Sequence, residues 1–263
     1  MARYQSYVIV QTLEEAYALN SKKSSVIVGG NMWLRMCGLK KQTAIDLSAL
    51  GLDRIEETED AFLAGSMTSL RALETHEGLN RETGGAFAKA LAPIVGTQFR
   101  NTATVGGSVY ARFGFSDVSA LLLALDAEVI LYKRGAVKLS DYQSEAWDRD
   151  IITHIRIPKG RRAAAESVRV SGTDIPTLVC AAAVCESGVR IVLGARPARA
   201  VVVYEGAAEA ADFAAIAEKT VFGSNLRASQ AYRRKVAPVL MARAVNHAAA
   251  DVENKQEGTA DEH

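Results

Sequence analysis

Gln98-Phe99-Arg100-Asn101-Thr102-Ala103-Thr104-Val105-Gly106-Gly107-Ser108 is the stretch on which the reading of this chain turns. Its β-branched run over 102–105 predicts a strand that ends on a glycine pair. An earlier stretch repeats the pattern. Val26-Ile27-Val28 leads into Gly29-Gly30-Asn31-Met32-Trp33, again a strand, two glycines and a polar residue. Glycine lets backbone approach a ligand closely. Consecutive N–H groups at such a corner form an anion-binding concavity. A short helix starting at Asn31 directs its positive end to the same place. Two such corners brought together predict a pyrophosphate site. Each pair taken alone is also what a tight turn requires, and the residues by themselves leave both readings open.

Neither corner carries an established phosphate fingerprint. There is no GxxxxGK(S/T), which disfavours a P-loop nucleotidase. No GxGxxG is followed by a ribose-binding acid, which disfavours a Rossmann site. No GxSxG elbow or HExxH helix gives hydrolase chemistry a foothold. His76, His154, His247 and His263 are scattered without metal or triad spacing. Asp117 reads either as a helix cap or as a carboxylate that accepts hydrogen bonds from sugar hydroxyls.

Composition bounds the remaining classes. With 263 residues, 49% hydrophobic and 23% charged, the chain has ordinary globular usage. That excludes a disordered chain, a collagen and a coiled coil, and the length suffices for a core without staples. Lys plus Arg is 31 against 30 for Asp plus Glu, a net charge of +1 that calls for neither nucleic acid nor an anionic membrane. No apolar run reaches the ~20 residues of a membrane span, and the N-terminus has no apolar targeting core. Cys37, Cys180 and Cys185 fall at no metal-ligand spacing. The expectation is a cytoplasmic, reduced protein with no metal of its own.

The order of elements predicts α+β. Strands are expected over 7–10, 25–28 and 44–47, with a capping box at Thr12 and Glu15 opening a helix to Leu19 and a one-turn helix over 32–36. Paired strands follow over 54–57 and 62–64, then helices over 68–74 and 82–91. Asp117 caps a helix over 118–125, and 127–132 is a strand. The Lys-Gly-Arg-Arg-Ala-Ala-Ala composition around 158–165 reads as a linker. Beyond it, strands over 167–170, 177–185, 189–193 and 200–203, with a hairpin turn at Ser187-Gly188, precede helices over 207–220 and 229–249. A polar, frayed tail is expected over 251–263.

Taken together, these motifs resemble the FAD-binding subunit of the molybdenum hydroxylases, the group of xanthine, carbon monoxide and nicotinate dehydrogenases. Val28-Gly29-Gly30-Asn31-Met32 resembles that family's first pyrophosphate loop, and Ala44-Ile45-Asp46-Leu47-Ser48 its IDLS strand. Gly65-Ser66-Met67-Thr68-Ser69-Leu70 resembles its GAxTTL turn. The stretch from Gln98 to Gly107 is similar to QIRNxxTIGGN, the most specific of these motifs. The run over 121–127 resembles LLALDA, 151–158 LLTxIRIP, and Arg227-Ala228-Ser229 with Tyr232-Arg233-Arg234 a C-terminal RASxxYR.

The resemblance implies a two-subdomain FAD-binding fold of the vanillyl-alcohol-oxidase (PCMH) type over 1–158, with subdomains of about 1–52 and 53–158. A C-terminal α+β domain over 163–250 follows. It implies that Val26, Ile27, Val28, Gly29, Gly30, Asn31, Met32 and Trp33 line FAD, with Thr104, Gly106, Gly107 and Ser108 opposite. Asp117 binds cofactor hydroxyls, Ile152 lies against the flavin ring and Ile94 is a further neighbour. No catalytic residue and no metal ligand is assigned to this chain. Molybdopterin and 2Fe-2S clusters are implied on partner chains, a large and a small subunit, with NAD or another acceptor receiving electrons. Two departures stand out: the run 108–117 keeps Asp117 but lacks the family's Ser-Pro, and Glu166 falls where some members carry lysine, with Arg169 nearby as a substitute. Two other readings remain at this point: a stand-alone flavin reductase or oxidase of the same fold, and a flavin-free assembly subunit.

Overall fold

The computed structural model describes residues 2–258. Strand β1 (Arg3–Ile9), helix α1 (Leu13–Asn20), β2 (Ser25–Val28) and β3 (Lys40–Asp46) open the chain, followed by β4 (Ile55–Glu57) and β5 (Ala61–Gly65). Six helices come next: α2 (Leu70–Thr75), α3 (Glu77–Thr83), α4 (Ala86–Leu91), α5 (Thr97–Thr102), α6 (Val105–Ala111) and α7 (Asp117–Ala124). After β6 (Glu128–Leu131), β7 (Gly135–Lys138) and α8 (Leu139–Ser144) come β8 (Ile152–Pro158), β9 (Arg162–Val168), β10 (Leu178–Cys185), β11 (Gly188–Gly194) and β12 (Val201–Gly206). Helices α9 (Phe213–Lys219) and α10 (Gln230–Gly258) complete it. Among the described residues no helix is long and apolar enough to cross a membrane.

The chain divides into two compact units. The first comprises 1–72, 97–111 and 127–157; the second comprises 73–96, 112–126 and everything from Pro158. The second unit thus draws on two stretches from earlier in the chain as well as on the part from Pro158.

In the first unit, β1, β3 and β2 form a parallel three-stranded sheet in the order β1-β3-β2. Parallel neighbours need a crossover, and α1 supplies the one that leads into β2. A variant of the expected capping box opens α1: Thr12 Oγ1 accepts from Glu15 N at 3.1 Å, while the Glu15 carboxylate accepts from Gln11 N, one residue before the cap, at 2.9 Å. Val10, Ala16, Ile45, Leu47, Leu52 and Ile151 make the core beneath. A five-stranded sheet, β4-β5-β8-β6-β7, also belongs to this unit, together with α5, α6 and α8.

In the second unit, β12-β11-β10-β9 is an antiparallel sheet backed by α9 and α10. Leu178, Cys180, Ile191, Leu193, Leu240 and Met241 are buried between them. The stretch expected as a linker is therefore the start of this sheet. Ala163, Ala164 and Ala165 face Ala183, Ala182 and Ala181 across the ladder. Low side-chain bulk there reflects close packing, with only Gly160 (φ 79°) making the turn. The hairpin at Ser187-Gly188 is present, with Cys185 paired to Gly188.

Helix boundaries moved for identifiable reasons. Gly84 and Gly85, at φ 70° and 75°, split the expected 82–91 helix into α3 and α4. The expected 207–220 helix contracts to α9 behind the cap at Asp212, whose Oδ1 accepts from Ala214 N and Ala215 N. Helix α10 continues past 249 to Gly258, because Asp251 to Glu257 contains no proline and several good helix formers. The rest of the expected tail, 259–263, lies outside the described residues.

Arg233 on α10 has no exposed surface, although it is charged. Its guanidinium donates to the carbonyls of Thr177 (2.8 Å), Gly223 (2.8 Å) and Ala228 (2.6 Å) and to Asn225 Oδ1 (2.7 Å). One planar fork thus ties the 223–228 loop to the strand edge at Thr177. That gives a structural role to the Tyr232-Arg233-Arg234 motif.

Candidate functional site: two glycine corners in contact

The two corners meet within the first unit, but they are not alike. The first is as expected: β2 runs into Gly29 and Gly30, and Asn31 adopts a left-handed φ of 54°. Tyr4 from β1 donates its hydroxyl to Asn31 Oδ1 at 3.1 Å, fixing that turn. The backbone N–H groups of Gly29, Gly30, Asn31 and Met32 meet no acceptor among the described residues. Successive unpaired N–H groups around a left-handed residue make a concavity of the kind that can accept an anion.

The second corner follows no strand. Thr104 makes only an isolated bridge to Ser69 and stands at the head of α6, with α5 before it. The β-branched Thr-Ala-Thr-Val run was overridden by capping. Thr104 Oγ1 accepts from Gly107 N (3.2 Å), and the Thr104 carbonyl accepts from Ser108 N (3.0 Å) and Ser108 Oγ (2.9 Å). Val105 N donates to Thr68 O and Gly106 N to Ser66 O, each at 2.9 Å. The N–H groups expected to be open here are therefore taken by the chain itself.

The second corner serves instead as the wall of the first. A β-carbon on Gly30 would lie 1.7 Å from the Thr102 carbonyl oxygen, and one on Gly29 would lie 2.5 Å from Thr104 Oγ1. Gly106 is also tight against the turn beside it, where a β-carbon would lie 2.6 Å from Ser66 O. Trp33 adds a side-chain link, its ring edge-on to buried Phe99 of α5 with centroids 5.8 Å apart.

Ser66 lies in the turn that resembles GAxTTL and outside the residues expected to hold the cofactor. Its Oγ is buried and meets no hydrogen-bond partner among the described residues. An unpaired buried hydroxyl is costly, so this atom has capacity for a polar ligand group. The turn itself, Gly65-Ser66-Met67-Thr68, was the only sequence signal for it. Ile152 opens β8 and is 6% exposed, and the carbonyl of the following Thr153 accepts from Ser66 N at 2.8 Å. The first corner, the head of α6, the Ser66 turn and the start of β8 are thus one connected arrangement. Val26, Ile27, Met32 and Trp33 are partly exposed beside it, and Val28 is buried.

Asp117 and Ile94 belong to the second unit. Asp117 does not cap its helix; Ser116 does, its Oγ accepting from Ser119 N at 3.1 Å. The Asp117 carboxylate lies 2.5 Å from Arg169 Nη2, with side chains 7% and 9% exposed. Burial pushes this carboxyl above its ordinary value, and the guanidinium opposes the shift. Arg169 also donates to Asp174 O (2.6 Å) and Ser167 Oγ (3.0 Å). Ile94 is partly exposed after α4, its N–H bonded to Leu91 O at 2.9 Å.

The two sequence departures also find places in the second unit. In the run without Ser-Pro, Phe113 and Phe115 stack with centroids 5.0 Å apart, and Gly114 O accepts from Ala195 N at 2.6 Å. Glu166 lies 2.7 Å from His247 Nδ1.

Comparison with known proteins agrees with this architecture. Three solved structures superpose closely. A copper- and molybdenum-containing CO dehydrogenase gives a TM-score of 0.84 at 25% identity, over 95% of this chain and 99% of that one. Carbon monoxide dehydrogenase from Hydrogenophaga pseudoflava gives 0.84 at 21%, over 95% and 99%. Quinoline 2-oxidoreductase from Pseudomonas putida 86 gives 0.82 at 19%, over 95% and 98%. In sequence, the uncharacterized protein YgfM of Escherichia coli (strain K12) is 29% identical over 209 residues, 77% of this chain and 78% of that one. The fold is thus that of the flavin subunits the motifs resemble. Residues 2–160 match the model of the FAD binding domain in molybdopterin dehydrogenase, and the chain belongs to that family. It is an FAD-binding oxidoreductase subunit of the molybdenum hydroxylase type.

Proposed function

We propose that this chain is the FAD-carrying electron-transfer subunit of a molybdenum hydroxylase. Electrons arrive from 2Fe-2S clusters of a small partner subunit, the molybdopterin site lies on a large one, and NAD or another acceptor receives the electrons. The observation that carries the reading is the open first corner. Four successive N–H groups, Gly29 to Met32, stand without acceptors among the described residues. A pyrophosphate there needs no lysine, in keeping with the absence of a P-loop.

The residues present fit FAD. The concavity takes the diphosphate, the Ser66 hydroxyl offers a further polar contact, and Ile152 supplies an apolar neighbour for the ring. Val26, Ile27, Val28 and Trp33 are assigned to the cofactor's flank, and Thr104, Gly106, Gly107 and Ser108 to the wall that holds the corner shut on it. Asp117 and Ile94 keep their assignment as cofactor contacts from the family resemblance. When bound, FAD supplies the redox chemistry; the chain supplies position and electrostatics. No side chain here is assigned as a general acid or base.

The test is to purify the chain alone and together with its partner subunits. The lone chain is expected to oxidise no purine, aldehyde or N-heterocycle, while anaerobic NADH bleaches its visible absorption if NAD is the acceptor. Hydroxylation by the lone chain would overturn the reading.

A further inference from the structure

The second unit carries a groove that the flavin site does not use. It is a cavity of about 530 Å³ between β12 and α9. One wall is four consecutive strand residues, Val201-Val202-Val203-Tyr204; the other is one face of α9, with Asp212, Ala215, Ile216 and Lys219 at helical spacing. Because β12 is the outermost strand of its sheet, its outer edge pairs with no other strand there. Such an edge is a template for another strand, and proteins commonly guard it with lysine, proline or a bulge. Residues 201–204 contain neither lysine nor proline. Among the described residues, the irregularity in pairing at Ile191/Val192 and the charged Glu205 near the strand's end are what guard it.

The charges around the groove have one sign available. Arg196 Nε donates to Arg199 O (3.0 Å) and Nη1 to Val221 O (2.7 Å), while Nη2 makes no hydrogen bond or ion pair among the described residues. Partial burial lowers the Arg196 pKa from its ordinary value, so a carboxylate partner there would be favoured. Lys219 also has no ion-pair partner among the described residues. The anionic Asp212 is committed to capping α9.

We propose that this groove receives an extended apolar peptide segment carrying a carboxylate, supplied by a partner chain, which adds to β12 as a fifth strand. Main-chain hydrogen bonds to the free edge give affinity, alternate side chains enter the groove, and Arg196 and Lys219 select for acidity. A second copy of this chain fits less well, since edge-to-edge pairing of β12 with itself would bring the two sets of Arg196 and Lys219 together.

The probe is a fluorescein-labelled peptide, VTVEVE, titrated against the full FAD-loaded chain, with VTVKVK as its charge-reversed control. Saturable one-to-one binding is expected, about tenfold weaker for the lysine peptide, together with slower amide exchange at 201–204. Lys219→Gln and Arg196→Gln should each weaken the acidic peptide while flavin content stays constant. Lys219 is exposed and in no ion pair among the described residues, so its variant keeps the test valid even if Arg196→Gln disturbs the 199 and 221 carbonyls. The proposal is overturned by no saturable binding up to millimolar peptide, by equal binding of the two peptides, or by protection that spares β12. Concentration-dependent dimerisation that protects 201–204 without peptide would assign the edge to a second copy and overturn it as well. None of these outcomes depends on the flavin site.

Discussion

Gly30 packs against Thr102 so closely that a β-carbon would lie 1.7 Å from the Thr102 carbonyl oxygen. The obstacle is backbone on both sides, so no side chain can rotate away. Gly30→Ala should therefore separate the two corners. At Gly29 and Gly107 the nearest atom is Thr104 Oγ1, at 2.5 and 3.1 Å. The expected order of damage is Gly30→Ala, then Gly106→Ala, then Gly29→Ala, with Gly107→Ala close to wild type. Overpacking of this kind costs about 1–3 kcal/mol. Melting temperature and FAD content per chain check the order; a Gly30→Ala protein with full flavin and unchanged Tm would contradict it.

Asp117 and Arg169 form a buried pair 2.5 Å apart. Removing one partner leaves a buried charge without its counterion, so Asp117→Ala should cost about 3–5 kcal/mol in urea unfolding. The double variant Asp117→Leu with Arg169→Met should recover much of that. If Asp117 also contacts the cofactor, Asp117→Asn lowers FAD affinity by more than its loss of stability explains. An additive double variant would contradict the pairing account.

Arg233 holds the 223–228 loop through four hydrogen bonds from a fully buried guanidinium. Arg233→Met should destabilise the protein by about 3–5 kcal/mol and speed amide exchange in that loop. Arg233→Lys should rescue little, because an ammonium cannot present the planar fork. Full rescue by lysine would show that charge alone suffices.

Tyr7 donates its hydroxyl to Asp46 Oδ2 at 2.6 Å, from β1 to β3. The hydrogen bond to the carboxylate, helped by burial, holds the phenol proton and pushes its pKa up to about 12. The folded value is raised, so the bond's contribution is complete below the ordinary value of 10.0 and is lost as pH rises through about 12. Phenolate absorbance, with Tyr7→Phe subtracted, should place this ionisation near pH 12, and Asp46→Asn should return it toward 10. Ionisation of Tyr7 at its ordinary value would refute the bond.

Much of the first corner was legible in the chain. Val26 to Gly30 reads as a strand ending in glycines because the pattern is local, and the capping box at Thr12 and Glu15 is likewise local. The second corner misled because its β-branched residues are recruited to a helix cap by partners far earlier in the chain, Ser66 to Ser69. Propensity cannot see that contact. The alanines at 163–165 read as a linker because what they pack against, Ala181 to Ala183, lies in a later strand. Asp117 was found but its partner was not: Arg169 is 52 residues away, and only the fold brings the two together. The family motifs carried the functional reading where spacing alone could not.

The central claim is that the connected corners hold FAD on this chain. The most direct measurement is the visible absorption of the natively purified protein, followed by identification of the cofactor released by heat. The account predicts a flavin band at about 450 nm and close to one FAD per chain, lost in Gly30→Ala. A colourless protein that cannot be reconstituted with FAD would contradict it.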